Sequence, residues 1–182
     1  MEEVEIKLIG CDEARLRREI LARGGRLDRE ERQVNTRISS DRLPIEGDRY
    51  LRLRAVSSGQ EPVRYELTLK ERQERGDARI NEEYTVTVSD GPGLLEIFRR
   101  IGLDRQETGR KKRVRYLYRD FRIEFDCWDS KTLSYPYVEV EGPSPAALED
   151  FLQAFQIPKE CVSTRSIGEL REEEARKRAE AN

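Results

Sequence analysis

The sequence predicts an α+β fold in which about eight strands turn a charged face inward and pack an apolar face against helices outside. Three observations predict it. The opening segment alternates Glu3, Glu5 and Lys7 with Val4, Ile6 and Leu8, and a period of two puts each set on its own face of a strand. The same grammar recurs down the chain, with charge dominating one face nearly every time. Between the strands lie segments with helical spacing and recognisable caps. An ordinary half-exposed sheet carries neutral or scattered polar groups on its outer face, so a chain that repeats charged faces this regularly is expected to enclose them.

The elements follow in order. The first strand spans about 2–9. Asp12 can cap a helix over about 13–23, which Gly24-Gly25 stops. A strand over 31–38 is followed by one over 49–57, where Arg52 and Arg54 alternate with Leu51 and Leu53. On the strand at 63–71, Glu66, Thr68 and Lys70 alternate with Tyr65, Leu67 and Leu69. The strand at 79–88 carries Arg79 and Glu83 with one parity. Leu94, Leu95, Phe98 and Ile101 then make a helical stripe ending at Gly102. Strands at 111–119, 121–128 and 135–141 bring Lys111, Arg113 and Arg115, then Glu124 and Asp126 against Ile123 and Phe125, then Glu139 and Glu141 against Val138 and Val140. Ser144-Pro145 supplies a cap and first position for a helix bearing Leu148, Phe151, Leu152 and Phe155.

Connections at 57–62 and 72–78 are short and polar, as hairpin loops should be. The segment 38–47, with Pro44 and Gly47, is longer and reads as a flap near an opening. Residues 1–170 are expected to form one domain, and 171–182 a charged helix or tail of mixed Glu, Arg and Ala.

At 182 residues the chain can bury a substantial core. Charged residues make up 40% and hydrophobic residues 36%, an average that would suit disorder if the alternation were absent. The net charge of -2 gives no global field toward nucleic acid or a membrane surface. Histidine is absent, which removes Ser-His-Asp and Cys-His nucleophiles and His-ligated zinc. Cys11, Cys127 and Cys161 show no paired spacing and read as inert thiols of a reduced, cytoplasmic protein. The N-terminus enters a charged strand without a secretory apolar region, and no apolar run approaches membrane-spanning length.

Listed by strand parity, the charged face holds two sets. The carboxylates are Glu3, Glu5, Glu66, Glu83, Glu124, Asp126, Glu139 and Glu141; the cations are Lys7, Arg52, Arg54, Lys70, Arg79, Lys111, Arg113 and Arg115. If the sheet closes, both point inward, where they must be paired, hydrated or neutralised by ligand and metal. Carboxylates without His or Cys favour a hard divalent ion, Mg²⁺ or Mn²⁺. Neighbouring Arg and Lys suit phosphate oxygens, and their number matches a triphosphate better than a monophosphate. Arg64, Arg115, Arg119 and Arg122 read as rim or surface charges, and Trp128, Tyr135 and Tyr137 as packing groups.

The ordered series Glu3-x-Glu5-x-Lys7, Tyr50-Leu-Arg52-Leu-Arg54, Leu67-Thr68-Leu69-Lys70, Lys111-x-Arg113, Glu124-x-Asp126 and Glu139-x-Glu141 strongly resembles the CYTH superfamily. These are the triphosphate tunnel metalloenzymes, which include class IV adenylyl cyclases and thiamine triphosphatases. The likeness covers about residues 2 to 170. It implies a closed eight-stranded antiparallel tunnel that binds a triphosphate with Mg²⁺ or Mn²⁺. It makes Lys7, Arg52, Arg54, Lys70, Arg79, Lys111 and Arg113 candidate phosphate ligands. Glu3, Glu5, Glu124, Asp126, Glu139 and Glu141 become candidates for metal binding or for orienting a metal-bound water, and parity with Arg79 adds Glu83. Asn35 and Thr85 stand where the family often carries carboxylates.

The expectation is therefore a metal-dependent hydrolase of inorganic tripolyphosphate, thiamine triphosphate or a nucleoside triphosphate, with Glu5, Lys7 and Glu139 at the reacting centre. A cyclase making cyclic AMP from ATP is the alternative, and a non-catalytic polyphosphate- or nucleotide-binding module the third reading. The expected partner is the small-molecule triphosphate; neither membrane nor nucleic acid is expected, and a homodimer is allowed.

Overall fold

The computed structural model describes residues 2–43, 45, 49–73 and 79–180, with backbone alone for residues 2, 72, 73, 79 and 80. Strand β1 (Glu2–Ile9) leads into α1 (Glu13–Ala22), then β2 (Arg26–Ser39), β3 (Arg49–Ser57), β4 (Arg64–Gln73) and β5 (Arg79–Val88). After α2 (Gly91–Arg100) come β6 (Arg105–Tyr118), β7 (Phe121–Trp128) and β8 (Tyr137–Gly142). The chain ends with α3 (Pro145–Ala154), a 3-10 turn (Lys159–Cys161), the two-residue β9 (Val162–Ser163) and α4 (Ile167–Glu180).

The strands run in the order β5-β4-β3-β2-β6-β7-β8-β1, and β1 pairs back onto β5. All these ladders are antiparallel, so the fold is the closed eight-stranded barrel, with helices outside. Closure needs both edges of β1. Its residues Val4–Ile9 lie along β8, while its other edge takes β5 at Glu2–Glu5 and the short β9 at Lys7 and Leu8. No helix among the described residues is long and apolar enough to cross a membrane.

Local chemistry fixes the helices. Asp12 accepts a hydrogen bond from the Arg15 amide at 2.9 Å, Asp90 from Gly93 at 2.9 Å and Ser144 from Ala147 at 3.2 Å, each satisfying an otherwise orphaned donor in a first turn. After α1 the chain turns away at Gly24, whose φ of +87° suits a residue without a Cβ. Helices α1 and α3 cover the outer faces of β1, β6, β7 and β8. Leu16, Ile20, Leu148, Phe151 and Phe155 join Ile6, Leu8, Tyr116, Ile123, Phe125, Val138 and Val140 in one buried cluster. Each such side chain contributes roughly 1.5–3 kcal/mol on burial, so this half of the barrel anchors the fold.

The other half is more open. The outer row on β4 and β5 leaves Tyr84 54% and Val86 58% exposed. The α2 stripe is less buried than its spacing predicts: Ile101, at the C-cap, is 60% exposed, and Leu94, Leu95 and Phe98 are half-buried. A second apolar cluster forms where Leu170 of α4 meets Leu133 and Tyr137, with Ile9, Trp128, Tyr135 and Ile167 around it.

Strands β2 and β6 begin earlier than the alternation predicts, at Arg26 and Arg105, and pair with each other from Arg26–Leu117 to Ser39–Arg105, with a bulge between Leu27 and Arg29. Their leading residues are charged on both faces, so pairing, not an apolar face, makes them strands. Of the segment expected as a flap, Ser40 Oγ accepts from the Arg42 and Leu43 amides at 3.1 and 3.2 Å. Residues 44 and 46–48 of that segment, and 74–78 of the loop expected at 72–78, lie outside the described residues.

Candidate active site

The closed register brings the charged rows together inside the barrel. Glu5 faces Glu141 and Lys7 faces Glu139 across β1 and β8; Glu139 faces Glu124 on β7, which faces Arg115 on β6. On the other side, Arg54 faces Asn35 and Glu66, Arg52 faces Thr68, and Lys70 faces Glu83. Glu5, Lys7, Lys70, Lys111, Arg113, Glu124 and Asp126 are all buried. Burying this many charges is tolerable because they neutralise one another.

Three zones can be distinguished. In the middle, Lys7 lies 3.2 Å from Glu5 and 3.3 Å from Glu139, while Lys70 bridges Glu83 at 2.6 Å, Glu3 at 3.0 Å and Glu5 at 3.8 Å. Burial alone would lower the Lys70 pKa, but Glu5, Glu83 and Glu3 raise it above its ordinary value, so this amine stays protonated. Burial likewise opposes ionisation of Glu139, yet Lys7, Arg113 and Lys111 hold it well below the usual carboxylate range.

The second zone is rich in cations. Asp126 accepts a forked pair from Arg113 at 2.7 and 2.6 Å and a third contact from Lys111 at 2.7 Å. Burial, with Arg113 beside it, brings Lys111 down to about 8; burial, with Arg52 and Arg113 near, brings Arg54 down to about 10. Arg54 donates from Nε to Asn35 at 3.1 Å, and its ion pair to Glu66 is 3.8 Å long. Arg52 makes no hydrogen bond from its buried Nε, and among the described residues it has no ion-pair partner within 4.0 Å. Among the described residues, Arg52 and Arg54 are thus short of close carboxylate partners.

The third zone has the opposite deficit. Burial, with Glu3 and Glu124 nearby, raises Glu141 to about 7 despite contact with Arg122, and burial also raises Glu3 despite Lys70. An additional cation would relieve both carboxyls. Their oxygen-only chemistry fits Mg²⁺ or Mn²⁺, with Glu3, Glu5, Glu139 and Glu141 on adjacent strands as the residues to hold it. Among the described residues no three carboxyl or thiol groups are already gathered as a metal cage, because each carboxylate is turned toward a Lys or Arg.

Every candidate from the sequence lies in this interior by register, and only the Arg79 side chain falls outside the described residues; its backbone pairs with Glu5. The rim reading of Arg115 is corrected, whereas Arg122, with a side chain 37% exposed, lies at the rim and still reaches inward. Arg115 binds Glu124 at 2.6 Å with a side chain only 17% exposed, and Arg122 reaches Glu3, Glu124 and Glu141. Both share parity with residues that were assigned inward, so the signal was present in the alternation. Asn81, fully buried, donates to Glu5 at 3.3 Å, and Tyr137 donates to Asp126 at 3.0 Å while accepting from Trp128 at 3.1 Å. Tyr137, expected as a packing group, thus also has a hydrogen-bonding role, and neutral Asn81 carries no charge signal in the sequence. Asn35 and Thr85 have hydrogen-bonding roles: Asn35 accepts from Arg54, and Thr85 shares a 2.9 Å hydrogen bond with Thr68.

The family model of the CYTH domain matches residues 1–166. No curated protein sequence matches the chain. Among solved structures, PH1819 of Pyrococcus horikoshii is 20% identical with a TM-score of 0.76, covering 94% of this chain and 99% of its own. PH1012 of the same organism is 20% identical with a TM-score of 0.73, over 92% and 98%. HpAC1 from Hippeastrum, described as an adenylyl cyclase candidate with a dominant triphosphatase activity, is 19% identical with a TM-score of 0.61, over 94% and 95%.

Proposed function

The chain belongs to the CYTH family, and from that premise we propose that it hydrolyses a triphosphate, inorganic tripolyphosphate before larger substrates, with Mg²⁺ or Mn²⁺. The observation that carries the reading is the split in the tunnel's charge: among the described residues, an Arg52–Arg54 wall short of close anions beside a Glu3–Glu141 zone short of a cation. An anion and a metal ion bound together relieve both deficits at once.

In this reading Arg52, Arg54, Lys111 and Arg113 hold the phosphate oxygens, Arg through paired donors and Lys as a point charge. Lys70 and Lys7, both kept among carboxylates, position the phosphate nearest β1, and Arg79 is assigned there from its register opposite Glu5. When bound, the metal supplies charge neutralisation on the phosphate oxygens and lowers the pKa of water. Glu139 and Glu141, with Glu3 and Glu5, would hold it; Glu83, Glu124 and Asp126 keep the neighbouring cations oriented. Glu5 accepts the proton as water attacks the terminal phosphorus, the bond to the bridging oxygen breaks, and orthophosphate and pyrophosphate separate. The buried amide of Asn81, 3.3 Å from Glu5, keeps that carboxylate aimed inward.

The test is turnover with tripolyphosphate, thiamine triphosphate and ATP, each with Mg²⁺, Mn²⁺ or chelator and with products separated. The expected result is phosphate from tripolyphosphate, abolished by chelator and reduced on the order of 100-fold or more in Glu139→Ala. Cyclic AMP and pyrophosphate from ATP would identify a cyclase instead, and no metal-dependent product would leave a binding module.

A further inference from the structure

Arg122 enters the tunnel from β7 on the same face as Glu124 and Asp126. Its guanidinium contacts Glu141, lies 3.5 Å from Glu3 and approaches Glu124 at 3.7 Å. The approach to Glu124 is long, and Nε carries no hydrogen bond. A single guanidinium therefore gathers three carboxylates but satisfies its own donors incompletely. Glu124 is separately held by Arg113 and Arg115, so it does not depend on Arg122. Glu3 is also bound by Lys70, whereas Glu141 has Arg122 as its ion-pair partner among the described residues.

Beside this group lies a cavity of about 310 Å³ lined by Val4, Asp120, Arg122, Glu141, Gly142 and Pro143. Arg122 thus has space on one side and, in exposed Asp120, another carboxylate on the same cavity wall. Its side chain is 37% exposed, against 5% for Arg113 in the cation-rich zone.

We propose that Arg122 is a displaceable counter-cation, occupying the carboxylates of Glu3 and Glu141 when the metal is absent and swinging toward Asp120 when a divalent ion takes them. The inference rests on the metal-dependent reading given above. A guanidinium and a divalent ion cannot share two carboxylates without strong repulsion, so metal binding must first displace Arg122. Arg122 is then a positioning residue: it bridges the carboxylates of Glu3 and Glu141 in the metal-free protein, and it sets how tightly the metal binds.

The probe is Mn²⁺ alone, followed by electron paramagnetic resonance without any triphosphate, on wild type, Arg122→Gln, Arg122→Lys and Asp120→Asn. Removing the competitor tightens Mn²⁺ binding roughly tenfold in Arg122→Gln, within the range of coupling between linked sites. Arg122→Lys, which keeps the charge, stays near wild type, and Asp120→Asn, an exposed change, weakens binding. A merely structural arginine predicts the reverse for the glutamine variant, because a disturbed site binds metal less well. Wild type and Arg122→Gln binding Mn²⁺ equally, or the variant binding it more weakly, would overturn the role of Arg122 alone. Should Arg122→Gln fail to fold, Asp120→Asn decides: unchanged Mn²⁺ affinity there overturns the proposal. Mn²⁺ bound by none of the proteins, even with tripolyphosphate added, would remove both this proposal and the metal-dependent function.

Discussion

At the residue scale, what distinguishes the tunnel's charges is whether their partners are already present. Asp126 is fully served, by two cations and by the Tyr137 hydroxyl. Asp126→Ala leaves Lys111 and Arg113 facing each other in the interior, so it should cost about 3–5 kcal/mol in denaturant unfolding; a loss under about 1 kcal/mol would mean that water already reaches those cations. Glu141 illustrates the other case. Its pKa in the fold, about 7, lies above the ordinary 4.5 because burial and the carboxylates of Glu3 and Glu124 outweigh Arg122. A carboxyl raised in this way supports folding below its unfolded pKa and loses that support as pH rises through the folded one. With chelator present, Glu141→Gln should therefore gain stability relative to wild type between pH 4.5 and about 7, with no change in the difference below that window. A difference that stays constant with pH would show that Glu141 is not so perturbed. Acidic residues repeating at period two were readable as an inward face, but the unequal supply of partners was not, because it depends on which strands become neighbours.

At the element scale, the legible parts were those with one apolar face. Strand β1 and helices α1 and α3 follow from alternation, 3.6-residue spacing and caps, all local signals. The lengths of β2 and β6 were not legible: Arg26–Glu30 and Arg105–Arg110 carry charge on both sides, and only their mutual pairing makes them strands. The packing of α3 gives a direct check. Phe155, just past its end, is fully buried, with ring centroids 5.4 Å from Tyr118 and 4.4 Å from Phe151. Phe155→Ala should cost about 3–5 kcal/mol, measured by urea unfolding. A loss below about 1 kcal/mol would show that α3 does not anchor the barrel.

At the scale of the whole molecule, closure turns a row of amphipathic strands into an enclosed, charge-lined interior. One half of the wall is supported by α1, α3 and a continuous apolar cluster; the other, β3 to β5, carries the cations Arg52, Arg54 and Lys70 on strands with lighter outer cover. The interior is internally paired but not balanced, with anions wanted at one wall and a cation at the other. The ordered motifs made the barrel and its charged lumen readable from the sequence, since each strand declares its own parity. Which charges find partners inside the protein was not readable, because it emerges only when eight strands share one interior. The central claim is tested most directly by calorimetric titration of tripolyphosphate into wild type and Arg52→Leu, with chelator and then with Mn²⁺. Among the described residues Arg52 has no ion-pair partner to lose, only the Tyr50 ring 6.0 Å away, so the variant should keep most of its stability while affinity falls roughly 10- to 100-fold, the worth of a charge-assisted contact to phosphate. Mn²⁺ should strengthen binding in both proteins. Equal affinities for wild type and variant, or affinity unaffected by Mn²⁺, would contradict a tunnel built to take a triphosphate together with its metal.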